Sequence, residues 1–91
     1  MNKLTLQGHI TVPAKDLSAV MAELPAHIAR TRAEEGCLLF EVTQSPDDPC
    51  VFNVYEEFVD RTAFELHRQR VRASAWGTVT EDVERHYSIS E

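Results

Sequence analysis

Two runs, CLLFEVTQ (37–44) and CVFNVYEEF (50–58), constrain the fold of this chain more than any other feature. Both are rich in β-branched and aromatic residues, and SPDDP between them supplies the Pro and Asp that favour a reversal of direction. The pair is predicted to form an antiparallel hairpin. On the second run Phe52, Val54, Glu56 and Phe58 share one face by the period of two, while Asn53, Tyr55 and Glu57 share the other. The more apolar set is expected to meet the core, which carries Glu56 inward among hydrophobic neighbours.

On either side of the hairpin the period changes twice. Residues 3–12 alternate, with Leu4, Leu6, Ile10 and Val12 opposite Lys3, Thr5, Gln7, His9 and Thr11, as in a half-buried strand. Gly8 interrupts the apolar side, and a bulge is expected there in preference to a close backbone approach. Leu17, Val20, Met21, Leu24 and Ile28 then recur at three and four residues, one stripe of an amphipathic helix. Pro25 is expected to kink or interrupt that helix by removing a hydrogen bond, and Gly36 to end it in the left-handed conformation. After the hairpin Asp60 stands at an N-cap position, with Ala63, Phe64, His67 and Val71 as the inward stripe of a second helix. A further helical turn over Trp76 and Gly77 is followed by VERHYSIS (83–90), a short strand with Tyr87 and Ile89 opposite His86 and Ser88.

The resulting order, β-α-β-β-α-β, is the ferredoxin-like α+β arrangement: two helices on one face of a four-stranded antiparallel sheet, with residues 1–91 as one domain. The other face is left open. A domain this small buries a modest share of its surface, so a second copy is expected to cover the polar face that carries Thr5, Gln7, His9 and Thr11. A homodimer is predicted.

Nine Lys and Arg against fifteen Asp and Glu give a net charge of -6, which argues against nucleic acid or an anionic membrane as partner. No apolar run approaches the roughly 20 residues of a membrane span, and MNKLTLQGHITVP lacks the features of a secretory signal, so Met1 reads as the mature start. Cys37 and Cys50 lack the spacing of a zinc site. In a hairpin they lie too far apart for a disulfide, and two free thiols suit the cytoplasm. RQRVR (68–72) reads as a solvated helix face. There is no nucleophile elbow, phosphate loop or dinucleotide fingerprint, so no cofactor is expected.

The chemistry is concentrated in VYEEFVDRTAFELH (54–67), which brings Glu56 and His67 together across a strand-to-helix turn. Desolvation disfavours the charged form of a buried carboxylate, and a facing histidine compensates it; such a pair can hold a proton near neutral pH. The same residues also describe a structural salt bridge. Phe58, Phe64 and Trp76 are candidates to wall a pocket for a flat ligand, or are the aromatic core of a small fold. His9, His27 and His86 have no spaced partner and read as surface or interface residues.

The stretches EEGCLLFEV (34–42), VYEEF (54–58) and AFELH (63–67) resemble the antibiotic biosynthesis monooxygenase domain of the dimeric α+β barrel superfamily. Its recurring features would here be Glu35 and Gly36, Glu56 with Phe58, and His67. The resemblance implies a pocket between sheet and helices. It also implies one of three activities: cofactor-independent oxygenation of quinols or polyketides, haem degradation, or isomerisation of a phosphorylated sugar. The polyketide branch carries Asn, Trp and Tyr where this chain has Val54, Phe58 and Phe64. The haem-degrading branch carries Asn, Trp and a His ligand where this chain has Gly8, His67 and Gly77. What remains resembles the small quinol-monooxygenase-like members. In that scheme His67 is the base, Glu56 orients it, and Gly8, Val54, Phe58, Phe64 and Trp76 contact a small aromatic substrate. The alternatives are an isomerase with Arg68, Arg70 or Arg72 as phosphate anchor, and a non-catalytic ligand-binding module.

Overall fold

The alternation in the strands decides which side of the sheet becomes the core. The computed structural model describes residues 2–91. It contains β1 (Leu4–Thr11), α1 (Leu17–Arg32), β2 (Cys37–Gln44), β3 (Val51–Phe58), α2 (Arg61–Arg72), α3 (Ala75–Val79) and β4 (Glu84–Ser90), with one 3-10 turn at Ala14–Asp16. The strands form one antiparallel sheet in the order β2-β3-β1-β4, with the helices against a single face. This is the expected ferredoxin-like α+β arrangement. Leu4, Leu6, Ile10 and Val12 from β1 and its end join Phe52, Val54 and Phe58 from β3 in the core.

Register sets three rows across the helix-facing side. Glu56 pairs with Phe40 and Leu6, and Leu6 pairs in turn with Ile89. Val54 pairs with Val42 and Gly8, and Gly8 with Tyr87. Phe52 pairs with Ile10, and Ile10 with Arg85. The helices leave β4 uncovered, and all seven of its residues are exposed.

Four local expectations are corrected. β1 keeps its register through Gly8 with both neighbours, so there is no bulge. Instead φ is +156°, and a Cβ would stand 1.9 Å from the His86 carbonyl oxygen. The glycine is required by close backbone approach. α1 runs unbroken through Pro25. Pro25 and Met21 both lie on the exposed side of the helix, where water can serve a carbonyl that loses its helical partner. The buried side of α1 is Val20, His27 and Thr31, whereas Met21 is 47% exposed.

Gly36 does not take a left-handed conformation either; among the described residues positive φ occurs only at Gly8. α1 ends at Arg32, whose guanidinium donates to the Phe40 carbonyl at 2.9 and 3.1 Å. A Cβ on Gly36 would stand 2.4 Å from that of Ala63, so the bare backbone lets the segment after α1 lie against α2. Asp60 caps α2 as expected, accepting from the Ala63 amide at 2.8 Å. Gly36→Ala must push α2 outward. A loss of about 1–3 kcal/mol is expected, measured by denaturant unfolding, because overpacking costs are of that size.

Candidate active site

The contact between Gly36 and Ala63 has a chemical consequence. Glu34 lies two residues before Gly36, and His67 lies one helical turn beyond Ala63, so the close approach brings the two side chains together. His67 Nδ1 is 2.9 Å from Glu34 Oε1. Because an ionised carboxylate can only accept, Nδ1 carries the hydrogen and Nε2 presents its lone pair. Glu34 is fixed in turn: Arg70 Nε donates to its Oε2 at 2.5 Å, and the same guanidinium donates to Thr31 Oγ1 at 3.0 Å. The arrangement orients one imidazole from one side.

On the other side of the ring, Glu56 Oε1 stands 3.9 Å from Nε2, beyond hydrogen-bond length. Glu56 and His67 are each only 6% exposed, and Glu56 Oε1 is buried with no hydrogen-bond partner among the described residues. Burial, then the charge of Glu34, pushes the Glu56 carboxyl up to about 8. Burial also lowers His67, against the opposing pull of Glu34. At neutral pH the pair is therefore a protonated acid beside a neutral imidazole. The expected compensation of Glu56 by a histidinium does not arise, because desolvation dominates at both groups.

These groups stand at one end of a cleft of about 650 Å³ between the helices and the β1–β4 side of the sheet. His27 stacks on Trp76, with centroids 4.4 Å apart and planes 4° from parallel, and makes an edge contact with Phe40 at 5.3 Å. His27 is 5% exposed, its Nδ1 has no partner among the described residues, and burial first, with the neighbouring His67 second, lowers it to about 3. Tyr87 and Ile89 form the β4 wall; Tyr87 is 39% exposed as a residue, but desolvation of its phenol raises it to about 12.

Of the residues singled out from sequence, His67, Glu56, Val54, Phe64 and Trp76 all line this cleft. Phe58 does not. It is wholly buried behind the site, 5.0 Å from the His67 ring and 5.7 Å from Phe64. Gly8 lines a depression on the opposite, open face, with Gln7, Tyr55, His86 and Ser88. His9 and His86 stack there at 4.7 Å.

The structure adds Glu34 and His27, which the sequence reading missed. His27 is three residues beyond Leu24 and seven beyond Val20, so the helical stripe itself held the signal against a surface position. Glu34 had none. It lies outside both helices, and the neighbouring Glu35, picked out by resemblance, is exposed.

An open-faced ferredoxin-like sheet with its helices on one face defines a class of small α+β domains, and here a buried acid and an oriented imidazole stand in an aromatic-walled cleft between the two layers. Residues 4–78 match the antibiotic biosynthesis monooxygenase family, and the chain belongs to it. The family carries monooxygenase-like or oxidoreductase-like chemistry on small molecules. A Nitrosomonas europaea protein assigned to the same family is 20% identical, with 98% of this chain and 94% of that one covered at a TM-score of 0.77. A Pseudomonas aeruginosa protein is 27% identical over 99% and 91% of the two chains at 0.74. A Bacteroides thetaiotaomicron protein is 16% identical over 97% and 95% at 0.75. No curated protein matches the chain.

The buried groups make stability depend on pH in a defined way. Glu56 is raised from 4.5 to about 8, so the folded state holds a proton that the unfolded state lacks between those values. Stability falls as pH rises through that window, by up to about 1.4 kcal/mol per pH unit. His27, lowered from 6.5 to about 3, acts oppositely: the unfolded state binds the extra proton below 6.5, and stability falls as pH drops. The two slopes oppose each other between 4.5 and 6.5, where the lowered His67 adds to the His27 side. Thermal melts should therefore peak near pH 6.5. Glu56→Gln should abolish the decline from there to about pH 8 and raise the melting temperature on that side. It should steepen the acid-side decline between 6.5 and 4.5, because the opposing Glu56 slope is gone.

Proposed function

We propose that this protein is a cofactor-free monooxygenase that acts on a small aromatic quinol or phenol-like substrate with dioxygen as oxidant. The observation that carries the reading is the meeting, inside one aromatic-walled cleft, of an imidazole with a free Nε2 and a protonated, unpartnered carboxyl. A substrate hydroxyl placed between them gives its proton to His67 Nε2. Glu34, held by Arg70 and Thr31, stabilises the imidazolium that forms, and the Glu56 hydroxyl donates to the phenolate oxygen. The electron-rich anion is then the reductant of dioxygen. In monooxygenation one oxygen atom enters the carbon framework and the other leaves as water; two-electron oxidation alone gives the quinone and hydrogen peroxide. The protein's tasks are deprotonation and exclusion of water from the anion.

Proton-shuttling isomerisation of a carbonyl compound would use the same two side chains without dioxygen. Of its prospective phosphate anchors, Arg70 is engaged by Glu34 and Thr31. The reading extends to assembly: residues 1–91 act as one domain, and a second copy covers the open face of the sheet. Among the described residues no helix is long and apolar enough to cross a membrane, and Cys37 and Cys50 are free thiols, which suits a reducing cytoplasm.

Purified, metal-stripped protein should consume oxygen with reduced menadione above a protein-free control. His67→Ala should lower the rate by about 10²-fold or more, the usual contribution of general base catalysis. Glu34→Gln should lower it by about tenfold, the lower end of what loss of a histidine-orienting carboxylate costs at metal sites. Proton exchange into a carbonyl substrate with no oxygen uptake would replace this reading by isomerisation. Sedimentation at micromolar concentration should give twice the chain mass; a monomer would remove the paired-sheet assignment.

A further inference from the structure

The cleft is chemically asymmetric along its length. At one end stand His67 and Glu56. α2 follows β3 after only Val59 and Asp60, so it runs back along the strand, and successive turns of α2 face progressively earlier residues of β3. Arg72 is five residues beyond His67, about 7.5 Å along the helix axis. Arg85 belongs to the Phe52 row, four residues from the Glu56 row, or about 14 Å along the strand. Both arginines therefore lie displaced in the same direction from the acid–base pair, and both line the same cleft.

Their charges are largely uncommitted. Among the described residues Arg72 makes no side-chain hydrogen bond or ion pair. Arg85 donates to the Thr80 carbonyl at 3.1 Å and also meets the Tyr87 phenol, partners with no formal charge. Arg68 also lines the cleft, but Glu65 pairs with it at 3.2 Å and its guanidinium lies over the Phe64 ring at 5.6 Å. Against these three cations the cleft lining offers Glu81 and the buried Glu56. A chain of net charge -6 has thus placed three of its nine Lys and Arg around one cavity. Between the two ends lie apolar walls formed by Val54, Val71 and Trp76.

We infer that the occupant of this cleft is an amphipathic aromatic acid: its hydroxyl or carbonyl meets Glu56 and His67, and a carboxylate on the far side of the ring system meets Arg72 and Arg85. The inference rests on the proposed use of the cleft as an aromatic substrate site, and specifies the substrate class. Guanidinium groups suit it because they bind planar carboxylates through paired N–H donors. The separation along helix and strand suits a molecule of two or three fused rings. The desolvated end accepts a neutral hydroxyl, and the solvated end accepts the charge, so neither group is buried without a partner.

Trp76 is the chain's single tryptophan, and its emission reports occupancy without requiring turnover. The test is fluorescence titration with anthraquinone-2-carboxylate and with 2-(hydroxymethyl)anthraquinone, its neutral counterpart. The carboxylate is expected to bind at least tenfold more tightly, and the preference to shrink as salt rises from 50 to 500 mM, by about threefold or more as exposed charges are screened. In Arg72→Gln/Arg85→Gln, with unchanged circular dichroism, the preference should fall below about twofold while the neutral ligand still quenches. Equal affinity in the wild-type protein, or a preference that survives in the double variant, would overturn the inference and leave the aromatic cleft standing. Absence of quenching by both ligands would overturn the cleft reading and the inference with it.

Discussion

The hydrogen bond from His67 to Glu34 spans 33 residues of chain and gives the cleft its chemistry. Without it, His67 would be a desolvated imidazole free to present either nitrogen. With it, the ring has one tautomer, and its lone pair points toward Glu56 and the cavity. Each support of the contact is local and physical. Arg32 ties the end of α1 to β2, Gly36 admits Ala63, Asp60 starts α2 at the right residue, and Arg70 joins Glu34 to Thr31 on α1. Each of these contacts holds a segment that carries Glu34 or His67.

Glu56 is the opposite kind of feature. It has no protein partner at Oε1 and sits among Leu6, Phe40 and Val54, so it weakens a small fold whose core is limited. A core built for stability alone would place a hydrophobic residue there. Its persistence among apolar neighbours is understandable when a ligand supplies the missing hydrogen bond. The same argument covers His27, whose Nδ1 is also without a partner.

Much of the architecture was legible because strand and helix periods differ and because punctuation residues are few. The hairpin, the Asp60 cap and the inward stripe of α2 all follow from patterns within about a dozen residues. Gly8, Gly36 and the interruption expected at Pro25 were misread for a common reason. A glycine or proline marks a restricted backbone but does not say what imposes the restriction. At Gly8 and Gly36 the cause is another segment close by, and at Pro25 the exposed side of the helix absorbs the lost bond.

The sequence by itself determined the order of elements, the face each strand buries, the inward direction of Glu56 and His67, and the family resemblance. These are properties of residues near one another along the chain, where the periods of 2.0 and 3.6 act directly. Only the tertiary structure decided that Glu34, not Glu56, bonds His67, that Phe58 lies behind the site, and that His27 stacks on Trp76. It also gathered Arg72 and Arg85 on one side of the acid–base pair. Those are contacts between elements, fixed by strand register and by how closely one backbone passes another. A single sequence records them only as isolated residues.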